Sequence, residues 1–353
     1  MKYPQLQIDR QKLIYNTKRI LEMTDKAHVN CHIVTKGFCA YRPMVDAMVE
    51  AGARFFADSR LDNFVKLEGY GSAYLLLRIP MITEATDVVR YCDLSLNSEY
   101  KTLCALSDAA LAANRRHGVI LMVELGDLRE GFMPDEVVEM AGETLKLRGL
   151  YLAGLGTNFN CYGGVIGDEE KLNTLINLVN QVKEKYDIHL PIVSGGNSGI
   201  VYLLDEKRLP EGINHIRIGE ALLFGRETSY GRRISDLYTD IFTLKAEVIE
   251  CRRKPSVPYG EIGPNAFGET VTFDDYGVIR RAIVALGRHD VDIRNITPKI
   301  SGIRILGSSS DHMLLDITKA VTDIEVGDIM EFEVNYGTMY QAMLSSYVHK
   351  RMV

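Results

Sequence analysis

The sequence predicts a (β/α)8 barrel (TIM barrel) of the α/β class, followed by a C-terminal all-β domain. Two observations carry this. Between His32 and Gly225, short apolar runs alternate with stretches of helical spacing, and eight such strands can be counted. Apolar strands separated by helices imply a parallel sheet, and eight units imply closure. After Gly225 the helical stripes stop, and short apolar runs lie between Gly, Pro and Asp turns. At 353 residues the chain is also too long for one ordinary core.

The elements follow in order. Leu13, Ile14, Thr17, Ile20 and Leu21 repeat at helical spacing. The first barrel strand comes next and ends at Lys36. Pro43 opens a helix whose apolar face is Met44, Val45, Met48 and Val49, and Gly52 stops it. Strands are expected at 54–58, 73–79, 93–96, 118–125, 149–155, 190–193 and 215–218. Helices are expected at 61–67, 86–91, 99–116, 134–147, around 172–182 and at 199–205. Later apolar runs at 242–249, 278–286, 303–306, 312–317 and 328–334 read as strands of the second domain. Residues 10–230 are assigned to the barrel. Residues 231–353, joined by the strand-like segment 1–9, are assigned to the β domain.

Composition narrows the function. With 41 basic and 47 acidic residues the net charge is −6, which argues against nucleic acid or an anionic membrane as partner. No apolar signal core opens the chain, and no run reaches the ~18 residues that span a bilayer. The six cysteines are scattered without a Cys-x-x-Cys pair, which suits a reducing cytoplasm and gives no zinc site.

Two features suggest chemistry. Lys36 stands at the end of the first strand, followed by Gly37. It reads either as a solvated loop lysine or as an amine at the barrel mouth, where a desolvated lysine attacks aldehydes to form a Schiff base. The loop Ser194-Gly195-Gly196-Asn197-Ser198-Gly199 follows the seventh strand, and Arg217-Ile218-Gly219-Glu220 ends the eighth. Loops at these two places commonly build a phosphate site from backbone amides. The first and eighth strands of a closed barrel are neighbours. A phosphorylated aldehyde bridging such an amine and such a cradle is pyridoxal 5'-phosphate.

On these motifs the chain resembles the alanine racemase family of fold-type III pyridoxal-phosphate enzymes. The wording of Val34–Cys39, Gly195–Ser198 and Arg217–Gly225 is closer to its ornithine racemase branch. The resemblance implies that Lys36 binds the cofactor and acts as base on one face of the substrate Cα. It implies that Asn197 and Ser198, with the amides of Gly219 and Glu220, hold the phosphate, and that Arg217 faces the pyridine nitrogen. Arginine keeps its proton and lacks an acceptor, so that nitrogen stays unprotonated and racemisation is favoured over transamination. Arg129 falls at the family's arginine beside the cofactor oxygen and substrate carboxylate, and Asn158 replaces a histidine that stacks on the ring. Tyr347 matches a tyrosine that reaches the phosphate.

One departure matters. The family's second acid/base is a tyrosine from the partner subunit. The matching stretch here is Ala285-Leu286-Gly287-Arg288-His289-Asp290, without the tyrosine. His289 is the natural substitute, because its pKa suits proton transfer near neutrality; His312 is a second candidate. Asp311 falls near the family's substrate carboxylate site. A cationic substrate side chain would need an acid, and Asp290, Asp311 and Glu220 are unranked candidates. The expectation is a homodimeric, cytoplasmic amino-acid racemase for ornithine or another basic amino acid, with each site completed by the partner's β domain. The alternatives are a pyridoxal-phosphate-dependent amino-acid decarboxylase and a non-catalytic pyridoxal-phosphate-binding protein.

Overall fold

A computed structural model describes residues 2–70 and 73–353; Met1, the first residue of the segment assigned to the β domain, lies outside the described residues. The chain divides into two compact units, Arg10–Thr239 and Met1–Asp9 with Asp240–Val353.

The strand β1 spans Gln5–Ile8 and belongs to the second unit. The first unit is a closed parallel barrel of β2 (Asn30–Val34), β3 (Phe56–Asp58), β4 (Tyr74–Leu76), β5 (Leu94–Asn97), β6 (His117–Met122), β7 (Leu150–Gly156), β8 (Ile192–Ser194) and β9 (His215–Ile218). The seam is closed by β2 against β9, with His32 opposite Arg217 and Ile33 opposite Ile218. Val34, Ala57, Leu75, Leu96, Ile120 and Met122 fill an apolar layer inside. Buried beside them are His32, Ser95, His117, Ser194, His215 and Arg217. At β7, a Cβ on Gly154 would lie 1.8 Å from the Ile192 carbonyl oxygen, so β7 and β8 can approach only with glycine there.

The helices pack apolar stripes on this barrel. In Glu169–Tyr186 the Asp168 side chain caps the first turn by accepting from the Lys171 amide at 2.9 Å. That helix buries Leu172, Leu175, Leu178, Val179 and Val182, each contributing up to about 1.5–3 kcal/mol. Residues 231–239 stay with the barrel unit: Arg233 bridges to Arg226, and the Asn16 amide both donates to the Tyr238 carbonyl (2.8 Å) and accepts from its N–H (2.9 Å).

The second unit is a largely antiparallel sheet. Its order is β12 (Ile296–Pro298), β15 (Ile329–Val334), β10 (Phe242–Pro255), β11 (Val278–Val284), β14 (Met313–Asp316) and β13 (Arg304–Ser308). Strand β1 adds to β10, and β16 (His349–Met352) runs parallel to β1. One helix, Tyr336–Leu344, breaks the expected all-strand pattern; the Asn335 side chain caps it at 2.9 Å from the Thr338 amide. Among the described residues no helix is long and apolar enough to cross a membrane, and no cluster of potential metal ligands is present.

Candidate active site

The lysine comes first. Strand β2 ends at Val34, and Lys36 starts a 3-10 turn to Phe38 rather than ending the strand as expected. The turn forms because Thr35 leaves the pleat and its hydroxyl donates to Asp58 Oδ2 at 2.5 Å. Asp58 also accepts from the amides of Ser59 (2.7 Å) and Arg60 (2.9 Å) and from Asn63 Nδ2 (3.0 Å). Burial pushes the Asp58 carboxyl up, with Thr35 and Asn63 pulling the other way. Beyond the turn, Cys39 and Ala40 take left-handed φ values of 54° and 48°. They are held there by Lys66 Nζ on the Cys39 carbonyl (2.9 Å) and by the fully buried Phe38. Lys36 itself is half-buried.

The second group lies across the seam. Ser198 Oγ accepts from the amides of Gly219 (3.3 Å) and Ala221 (3.1 Å), which joins the β8 loop to the β9 exit. A Cβ on Gly219 would meet Val34 Cβ at 3.1 Å, so this loop lies directly against the end of β2. Asn197 caps the Gly199 amide at 2.8 Å, and its Nδ2 donates to the Phe159 carbonyl at 2.8 Å. Glu220 follows Gly219. Burial pushes its carboxyl up, while Lys36 pulls it down.

Arg217 is buried, only 3 % exposed. It donates to Ser194 Oγ and to the Thr157 carbonyl (2.8 Å), with Asn158 Oδ1 at 3.5 Å. It makes no ion pair among the described residues. Burial pulls its pKa down to about 10. Ser194 Oγ also meets His215 Nδ1 at 2.7 Å, and His215 Nε2 meets His32 Nδ1 at 2.8 Å. Burial, then the charge of Arg217, pushes His32 down to about 3. His215 is driven well down by burial, then by His32 and Arg217. Both rings are therefore neutral near pH 7.

The Arg129 loop is built on acids. Glu124 accepts from the amides of Gly126 (2.5 Å) and Arg129 (3.2 Å). Asp127 accepts from the amides of Cys161, Tyr162 and Gly163, each at 3.1 Å, which ties this loop to the one after β7. The Arg129 guanidinium is engaged bidentately by Glu130. Asn158 lies between the two arginines. In one orientation its oxygen accepts from Asn197 Nδ2 at 3.1 Å; turned over, the oxygen accepts from Arg129 Nη2 at 3.2 Å.

Lys36, Arg129, Asn158, Asn197, Ser198, Arg217, Gly219 and Glu220 therefore lie on loops and strand ends of the barrel unit. The other candidates belong to the β unit. His289 Nδ1 lies 3.3 Å from Asp311 Oδ1, and the His289 amide donates to the Ser310 carbonyl at 3.0 Å. Asp311 is thus a partner of His289. Asp290 is buried against the Gly287 amide at 3.0 Å, and burial raises its carboxyl. His312 is exposed, and Tyr347 is 68 % exposed. Sequence reasoning missed Asp58, Ser194, His32, His215 and Glu130. A carboxylate ending the second strand and polar residues inside barrel strands were the available signals.

The barrel group suits the cofactor inferred from sequence: a primary amine, a serine-and-amide cradle, and a buried guanidinium that offers only donors. The pattern of the family described as alanine racemase, N-terminal domain, matches residues 8–227. The chain is 42% identical over 352 residues to an ornithine racemase of Acetoanaerobium sticklandii, covering 99% of this chain and 100% of that protein. It is 36% identical over 352 residues to a lysine racemase of Thermotoga maritima, covering 99% and 98%. Among solved structures, an alanine racemase from Bartonella henselae with covalently bound pyridoxal phosphate superposes with TM-score 0.76 at 15% identity, covering 99% of each chain. Alanine racemase from Bacillus anthracis gives 0.76 at 15% identity, covering 100% of this chain and 95% of that one.

Proposed function

We propose a function from one premise: this chain belongs to the alanine racemase family. It is a pyridoxal-phosphate-dependent amino-acid racemase, and its substrate is a basic amino acid. Two relatives similar over the full length support the substrate class, an ornithine racemase and a lysine racemase.

The chain's own residues divide the work. Pyridoxal phosphate, when bound, supplies a sink for the electron pair left as Cα loses its proton. Lys36 holds the cofactor and then carries a proton to or from Cα on one face. Ser198, Asn197 and the amides of Gly219 and Glu220 would hold the phosphate; a phosphate role for Tyr347 is what the family resemblance implies. Arg217 would offer the pyridine nitrogen a donor that does not surrender its proton. Arg129 orients the substrate carboxylate, exchanging one acid partner for another. Asn158, within reach of both arginines, would contact the ring. In the dimer of the family pattern, His289, 3.3 Å from Asp311, would carry the proton on the opposite face. A homodimer whose partner β unit completes each site follows the family pattern. The free cysteines fit a cytoplasmic enzyme.

One observation carries this reading. A buried arginine with no carboxylate partner among the described residues sits on β9, directly opposite His32 of the strand that delivers Lys36. The test is a racemisation panel over L-ornithine, L-lysine, L-arginine, L-alanine and L-serine with pyridoxal phosphate present. Loss of optical rotation without release of CO2, fastest for a basic amino acid, is expected. Release of CO2 with rotation following it would overturn the reaction, and activity confined to alanine or serine would overturn the substrate class.

A further inference from the structure

We propose that the Glu220 carboxylate receives the distal ammonium of the substrate and so sets the preference for basic amino acids; this rests on the reaction proposed above.

The barrel mouth carries Lys36, Arg129 and Arg217 on the strand ends and loops described above. A diamino acid brings one carboxylate and a second ammonium on a flexible methylene chain. Arg129 serves the carboxylate, and the ammonium needs an acid that is not already engaged. Most neighbouring acids are engaged. Asp58 accepts from Thr35, Asn63 and two amides. Glu124 and Asp127 hold loop amides, and Glu130 holds Arg129. Glu84 pairs with Arg78 at 2.5 Å. Withdrawing Asp58 would leave the buried Thr35 hydroxyl and Asn63 amide unsatisfied, and withdrawing Glu124 or Asp127 would release loop amides.

Glu220 differs. It sits two residues past Ile218, and Lys36 sits three past Ile33, the residue paired with Ile218 across the seam. The two side chains therefore leave adjacent strand ends. The carboxylate is half-buried, and among the described residues it has no hydrogen bond or ion pair; Lys36 is the charge it feels. A cationic substrate side chain would give this acid a second positive neighbour beside Lys36. A neutral side chain would leave the carboxylate half-buried and unpaired, which is unfavourable. The two β-unit acids are less suited. Asp290 is buried on the Gly287 amide, and Asp311 pairs with His289.

The experiment compares ornithine with norvaline, which has the same carbon chain without the amine. For the wild type, Glu220→Gln and Glu220→Asp, kcat/KM and the dissociation constant are measured for both, and the absorption of bound cofactor verifies loading. The ornithine-to-norvaline ratio is expected to fall at least about tenfold in Glu220→Gln and to recover in part in Glu220→Asp. A ratio within about twofold of wild type, or both substrates falling together with a shifted pH profile, would overturn the proposal and make Glu220 a positioning residue for Lys36. A wild type that racemises neither ornithine nor lysine would instead defeat the reaction reading, and the binding ratio would still decide the role of Glu220.

Discussion

His32 and His215 share a hydrogen bond of 2.8 Å inside the barrel, Nδ1 to Nε2, across the strands that close it. With both rings neutral, the proton arrangement that satisfies most groups runs one way. Arg217 donates to Ser194, Ser194 to His215, and His215 to His32. The remaining nitrogen, His32 Nε2, is buried without a partner. The arginine is thus aimed by a chain of neutral groups rather than by a carboxylate.

Acid sensitivity follows from that pair. The folded pKa of His32 is lowered to about 3, below its unfolded value near 6.5. Between those values the unfolded chain binds more protons. Stability is therefore complete above about pH 6.5 and declines as pH falls toward 3. Between pH 7.5 and 5 the loss from His32 is roughly 1–2 kcal/mol. Denaturant midpoints across this range are expected to fall with acid, with a shallower slope in His32→Phe.

Asp58 fixes the Lys36 turn without touching its amine. Asp58→Ala removes the acceptor of Thr35, Asn63 and two amides. Stability is expected to drop by about 2–4 kcal/mol. In Thr35→Val, which removes a single donor, kcat is expected to fall more than KM rises. Urea unfolding and steady-state rates separate the two effects.

Arg217→Lys keeps the charge and loses the fork that reaches Ser194 and the Thr157 carbonyl together. A reduction in kcat of about 10- to 1000-fold is expected, with cofactor still bound. Racemisation rate and cofactor absorption measured on the same sample check it.

Gly219→Ala places a Cβ 3.1 Å from Val34 Cβ, on a barrel strand that cannot yield easily. The loop carrying the cradle amides must shift. Cofactor affinity is expected to weaken by about tenfold, or ~1.4 kcal/mol, in an absorbance titration.

How much of this was legible in the sequence depends on range. The barrel was legible because each strand and helix announces itself locally, and the His215–Ile218 strand lies where its pattern put it. Lys36, Ser198 and Arg217 stood out because motif and strand number locate them together once the barrel closes. The 3-10 turn at Lys36 was not legible, since it depends on Asp58 reaching Thr35 from the next strand. Ser194, His32 and His215 are ordinary residues in their own strands, and only closure aligns them. The helix Tyr336–Leu344 was missed because Gly337, with Tyr336, Thr338 and Tyr340 around it, blurs its stripe.

The central claim is that Lys36 is the amine that engages pyridoxal phosphate. The direct measurement is borohydride reduction of the loaded enzyme, followed by peptide mass spectrometry. The expected result is the cofactor mass on the peptide carrying Lys36, and none on that peptide in Lys36→Ala. Cofactor fixed to another lysine, or a Lys36→Ala protein labelled as fully as the wild type, would contradict it.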